Sequence, residues 1–139
     1  MEIRPFQPSD EASVVRLWTD CGLAVPWNDP HRDIRRKLDV QPELFLVGLS
    51  GGRIIATVMA GYDGHRGWIN YLAVHPDHRH TGIGRRMMDE AENRLREAGC
   101  PKINVQVRRT NADVTEFYRK IGYEEDDVVS LGKRLETDK

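Results

Sequence analysis

Apolar and polar residues along the 139-residue chain change period several times, and each change marks an element. Ile3 to Phe6 predict a first short strand. Val14, Leu17, Trp18 and Cys21 then recur at i, i+3, i+4 and i+7, the stripe of a helix. Ser9 is placed to cap that helix, Asp10 and Glu11 fall in its first turn, and Gly22 ends it. Asp29-Pro30 predicts a second helix start, cap then proline, followed by Ile34 and Leu38. The segments "LFLVGL" and "RIIATVMAG", joined by "SGG", read as a β-hairpin of two largely buried strands, with "YDGHRG" as the next turn.

Trp68 to Val74 predicts another strand, and from Ile83 apolar positions recur at 83, 87, 91, 95 and 98 along one helix stopped by Gly99 and Pro101. Ile103, Val105 and Val107 alternate with Asn104 and Gln106, which predicts an interior strand whose polar face lines a cleft. Asn111 is placed to cap a last helix carrying Val114, Phe117, Tyr118 and Ile121, Gly122 closes it, and "VVSLGKRL" predicts a terminal strand. The order β, α, α, β, β, β, α, β, α, β implies an α/β fold with a mixed sheet and helices on both faces. Residues 1–139 are expected to form a single domain.

Charge narrows the function classes. Lysine and arginine number 21 against 22 acidic residues, a net charge of −1, so nothing draws the chain as a whole to nucleic acid or an anionic membrane. No stretch approaches the ~18 apolar residues of a membrane span and no signal-peptide pattern appears, so a cytoplasmic location is expected. Cys21 and Cys100 match no disulfide or zinc spacing. His75, His78 and His80 lack the cysteine or acidic partners that would complete a metal site, so no metal is expected.

The chemistry concentrates in "RHTGIG", residues 79–84, at the mouth of the long helix. The first amides of a helix lack intrahelical partners and sit at the positive end of its dipole. Gly82 and Gly84 allow close backbone approach, and Arg79, Arg85 and Arg86 add positive charge, so a pyrophosphate is a natural guest. The Walker pattern is absent, and the third glycine of the dinucleotide fingerprint would fall at Met87, so neither ATP nor NAD is favoured.

Arg79-x-x-Gly82-x-Gly84, preceded by "YLAVHP", resembles motif A of the GNAT superfamily of acetyl-CoA-dependent N-acetyltransferases. The segment "NADVTEFYRKIGY" is similar to a second family motif, with Asn111, Phe117, Tyr118, Gly122 and Tyr123 at the expected spacing. More narrowly, "PWNDP", "YDGHRGWINYLAVHP", "GCPKINV" and "LGKRL" resemble the YpeA branch of bacterial GNAT proteins.

The resemblance implies the GNAT fold, a mostly antiparallel sheet whose fourth and fifth strands splay apart. It implies acetyl-CoA as co-substrate, held by the main chain of Leu72, Ala73 and Val74, by the turn Arg79, His80, Thr81, Gly82, Ile83 and Gly84, and by Asn111. Tyr118 matches the family's general acid, and an unperturbed phenol pKa of about 10 keeps its proton available. Direct attack by a primary amine of a small molecule, peptide or protein in a ternary complex follows. Strand 68–74 contains no acid to act as base. Trp27, Asn28, Asp63, His65 and Tyr71 are therefore weaker candidates for binding or deprotonating the acceptor amine.

Two rival readings are a non-catalytic acyl-CoA-binding regulatory module and a small toxin acting on charged tRNA. The near-neutral charge disfavours the second. The acceptor is left unidentified and a homodimer is left open.

Overall fold

A computed structural model describes residues 1–138. Five strands are numbered in chain order: β1 (Glu2–Pro5), β2 (Phe45–Ser50), β3 (Arg53–Tyr62), β4 (Gly67–Val74) and β5 (Ile103–Val105). They form one sheet in the order β1-β2-β3-β4-β5, antiparallel except for the parallel pair β4–β5. The helices are α1 (Glu11–Asp20), α2 (Pro30–Leu38), α3 (Ile83–Glu97) and α4 (Ala112–Lys120).

The period-2 alternation of the hairpin explains both layers. Phe45, Val47 and Met59 point to one face, where they pack with Val14, Trp18 and Ile34 of α1 and α2. Leu46, Ala56 and Val58 point to the other, against Met87, Ala91 and Leu95 of α3. Strands covered on both faces read as continuous apolar runs, as β2 and β3 do. Each wholly buried large side chain among these stabilises the fold by about 1.5–3 kcal/mol. Gly51 and Gly52, at φ 57° and 78°, make the two-residue hairpin turn, a conformation that glycine adopts without the Cβ clash of other residues.

Local expectations differ in four places. Ser9 lies inside a single tight turn, Pro8–Asp10, and Asp10 precedes α1 in its stead. The Asp10 carboxylate accepts from the Gln7 amide at 2.9 Å and pairs with Arg4 at 2.7 Å, which fixes it there. The strand expected through Val107 ends at Val105, and β5 is an edge strand rather than an interior one.

The terminal strand "VVSLGKRL" does not form. Its residues make no ladder, and Val128 and Leu131 are 76% and 90% exposed. Strand propensity expresses fit to a pleated, half-buried surface, and this segment and its flanks are tied to their neighbours by side-chain bonds instead of a ladder. Asn104 and Lys102 donate to Asp126 at 2.7 and 2.9 Å, Gln106 donates to Ser130, and Arg36 pairs with Asp138 at 2.7 Å. Asn104 and Gln106 do line a cleft, a cavity of about 1330 Å³ bounded by β5, α4 and residues 122–130. Among the described residues no helix is long and apolar enough to cross a membrane.

Candidate active site

β4 is paired on both sides only at its beginning. Gly67, Trp68 and Ile69 face Ile103, Asn104 and Val105 of β5; beyond Ile69 the two strands part. The main chain of residues 70–74 therefore has an open edge, which is the splay expected between the fourth and fifth strands.

Opposite that opening, β4 carries a bulge. Thr57 is paired with Ala73 and Met59 with Asn70, so Tyr71 and Leu72 together oppose Val58 alone. Tyr71 takes φ 51°, left-handed backbone that a bulky residue holds only when its surroundings fix it. The extra residue resets the alternation. Asn70 shares the face of its partner Met59, and Tyr71 packs with the same α1–α2 core as Met59 instead of with α3.

Past β4 the chain turns sharply through residues 75–82. His75 Nδ1 accepts from the Asp77 amide at 3.1 Å, Arg79 Nε donates to the Val74 carbonyl at 3.2 Å, and Thr81 donates to the His78 carbonyl. His80 and Gly82 take φ 64° and 81°. The first helical bond of α3 runs from the Arg86 amide to the Gly82 carbonyl at 3.1 Å. The amides of residues 80–85 donate to no acceptor among the described residues, and the first turn holds no acidic side chain. Such a row of free amides, with Arg79 and Arg85 beside it, suits a diphosphate.

The two glycines differ in their reasons. A Cβ on Gly82 would meet no protein atom within 4 Å, whereas one on Gly84 would lie 3.3 Å from Cε1 and Cζ of Phe117. Close packing of α3 on α4 is thus a further reason for glycine at 84, whereas no packing contact accounts for Gly82.

On α4, Tyr118 is 6% exposed and makes no side-chain hydrogen bond, while its ring stacks edge-on against Phe117 and Tyr123. No polar side-chain atom among the described residues is both fully buried and unpartnered, so the phenol oxygen reaches the cavity that the residue lines. Burial pushes its pKa up, which keeps it a proton donor at neutral pH. Asn111 sits at the N-terminal boundary of α4, but its side chain makes no capping bond and stays exposed and available.

The other candidates are divided: Trp27 and Asn28 lie in the α1–α2 loop, Asp63 and His65 in the β3–β4 turn at the paired end of β4. Trp27 is 45% exposed with the Arg108 guanidinium 5.3 Å from its ring centre. Asn28 accepts from Arg134 at 2.8 Å, and Asp29 caps α2 by accepting from the His31 amide at 2.9 Å. The Asp63 carboxylate accepts from the amides of Arg66 and His65 and from the Trp68 indole. Those bonds, led by the one from Arg66, hold its pKa below the usual carboxylate range, which ties Asp63 to its turn. His65 is exposed beside it.

Two residues of this region escaped sequence reasoning. Asp33 on α2 accepts from the Tyr71 hydroxyl at 2.5 Å and from Arg36 at 3.1 Å. Burial, reinforced by that carboxylate, pushes the Tyr71 phenol pKa up. Thr57 lies fully buried beneath the bulge, between Trp18 and Tyr71. Asp33 stands four residues after Asp29, a same-face spacing that carried the signal but reads equally as complement to the helix dipole. Nothing local distinguishes Thr57.

A model of the acetyltransferase (GNAT) family matches residues 12–123. Acetyltransferase YE1169 of Yersinia enterocolitica is 51% identical over 138 residues, 99% of this chain and 98% of that protein. Among solved structures, Ard1 from Thermoplasma volcanium is similar with a TM-score of 0.76 at 27% identity, covering 87% of this chain and 80% of that one. AAC(6')-Iy, in complex with a bisubstrate analog of CoA and acetylneamine, shares the fold with a TM-score of 0.78 at 16% identity, over 96% and 98% of the two chains. These names lend no support to a non-catalytic module.

Proposed function

From the premise that this chain belongs to the GNAT family of acetyltransferases, we propose that its residues 1–139 act as one domain that moves acetyl from acetyl-CoA to a primary amine by direct attack in a ternary complex. One observation carries the reading. The main chain of β4 loses its β5 partner beyond Ile69, in a fold that also offers a helix mouth of free amides just after β4 and a Tyr118 hydroxyl with no hydrogen-bond partner at a cavity beside β5.

In this reading the amides of residues 80–85, with Arg79, hold the diphosphate of the co-substrate. Asn111 adds a contact to its flank, and the open edge of Leu72, Ala73 and Val74 takes the pantetheine and the acyl carbonyl. The neighbour's bound CoA analog supports that co-substrate. Tyr118 gives its proton to the departing thiolate.

The amine enters from the α1–α2 side, past Trp27, Asn28 and Tyr71. Its ammonium proton passes to the Tyr71 oxygen as the Tyr71 proton moves to Asp33, the acid that β4 itself lacks. The second proton shed by the nitrogen on amide formation restores Tyr118. The net products are amide, free thiol and one proton.

Thiol release from acetyl-CoA across a panel of amines, peptides and protein N-termini tests the reading. Amine-dependent turnover, reduced about 10²–10⁴-fold in Tyr118→Phe with acetyl-CoA affinity unchanged, is expected. Release that ignores the amine, or a fully active Tyr118→Phe, contradicts it.

A further inference from the structure

The bulge in β4 displaces a buried carbonyl, and Thr57 receives it. Thr57 is 0% exposed. Its Oγ1 accepts from Trp18 Nε1 at 2.9 Å and donates to the Tyr71 carbonyl at 2.8 Å. The partners fix both directions: the indole N–H can only donate and the carbonyl can only accept, so the single hydroxyl proton goes to the carbonyl. Trp18, 1% exposed, also stacks on the Tyr71 ring at 3.8 Å and 15°, so the indole and the bulge residue brace one another.

Peptide planarity transmits this arrangement. In a trans peptide the C=O and N–H point in opposite directions, and no cis peptide occurs among the described residues. Holding the Tyr71 carbonyl on Thr57 therefore turns the Leu72 amide away from Thr57. Neither Tyr71 nor Leu72 has a paired residue in β3, and at this level β5 has already separated. Without the Thr57 hydroxyl, the peptide between Tyr71 and Leu72 would lose the side-chain contact that holds its carbonyl, and Trp18 would keep a buried donor without its acceptor.

We propose that Thr57 is a positioning residue for acetyl recognition: through the Tyr71 carbonyl it aims the Leu72 amide into the strand gap, where that amide donates to the thioester carbonyl of acetyl-CoA. The inference rests on the acetyltransferase reading and adds to it the element that distinguishes acetyl-CoA from free CoA. Both ligands share the diphosphate and pantetheine; only one has the carbonyl.

Calorimetry with acetyl-CoA and with CoA on wild type, Thr57→Val and Thr57→Ser tests it. The preference for acetyl-CoA over CoA should fall about three- to tenfold in Thr57→Val, the equivalent of one hydrogen bond, while CoA affinity is unchanged. Thr57→Ser, which keeps the hydroxyl, should retain the wild-type preference. A merely structural threonine would weaken both ligands alike or lower only the melting temperature, so an unchanged preference in Thr57→Val overturns the proposal, as does its loss in Thr57→Ser. Should Thr57→Val not fold, amide NMR of the wild type decides. The Leu72 amide proton should shift downfield with acetyl-CoA and not with CoA, and an equal response to both overturns the proposal. Wild type that binds neither ligand would instead bring down the acetyltransferase reading on which the inference rests.

Discussion

Replacing Gly82 with alanine, valine and asparagine separates two reasons for a glycine at the mouth of α3. The residue takes φ 81°, a conformation that costs an ordinary L-residue about 1–2 kcal/mol, and its missing Cβ would meet no protein atom within 4 Å. Alanine should therefore lower stability through the backbone alone, and at about 4 °C per kcal/mol for a domain of this size the melting temperature should fall by about 4–8 °C. Asparagine tolerates left-handed backbone and should recover most of that loss. It should not recover acetyl-CoA affinity if the diphosphate lies on these amides, because any side chain there stands between the main chain and the phosphate. Loss of one charge-assisted contact, about 1.5–3 kcal/mol, corresponds to about ten- to a hundredfold in the dissociation constant. Differential scanning calorimetry and isothermal titration with acetyl-CoA read the two effects separately. A Gly82→Asn protein that binds acetyl-CoA as tightly as wild type would refute the placement of the diphosphate. At Gly84 the balance reverses: alanine crowds Phe117 at 3.3 Å, and asparagine brings no relief, since the fault is packing rather than φ.

Asp33→Asn and Tyr71→Phe should each lower kcat for amine acetylation while leaving acetyl-CoA binding intact, because their 2.5 Å contact stands on the side of the sheet proposed for the acceptor; a variant with wild-type kcat removes the pair from the proposed proton path. Asp138 is held well below the usual carboxylate range, first by its hydrogen bond from Arg36 and then by the Asp29 amide. A carboxyl whose folded pKa is depressed stabilises fully above its unfolded value of about 4 and loses that contribution as pH falls through the lower folded value. Melting curves of wild type and Asp138→Asn should therefore differ at neutral pH, and the gap should narrow progressively as pH falls below about 4; a gap that keeps its full neutral-pH size at pH 2 contradicts the pairing.

What the sequence made legible was whatever repeats locally. The stripe from Ile83 through Leu95 needs only helical period, and the hairpin around Gly51 and Gly52 needs only alternation and turn chemistry, so both elements stand where expected. "VVSLGKRL" shows the limit of the same signal. Its composition suits a strand, but a strand exists only where a neighbour offers a ladder, and no local pattern records whether one does. Tyr118 is a different case: helical spacing reads it as a core aromatic, and its burial agrees with that, so its proposed role came from the motif that surrounds it.

The bulge is the instructive failure. "WINYLAV" reads as uninterrupted β-strand, and by alternation Tyr71 belongs on the same face as Ile69 and Ala73. One extra residue moves it to the face opposite Ile69, onto Trp18 and Asp33, while Ala73 moves with it relative to Ile69. The partners that hold this slip in place lie 39 and 38 residues away in the chain, Trp18 to Thr57 and Asp33 to Tyr71. Each is an ordinary residue in its own element: a buried helix aromatic, a strand threonine, a first-turn acid. Their chemistry exists only after the sheet has closed, because a left-handed tyrosine and a displaced carbonyl are costly until a buried hydroxyl and a carboxylate are present to receive them. This departure from strand period holds because tertiary contacts over-determine it, and it stands on the side of β4 opposite the edge along which β4 and β5 separate.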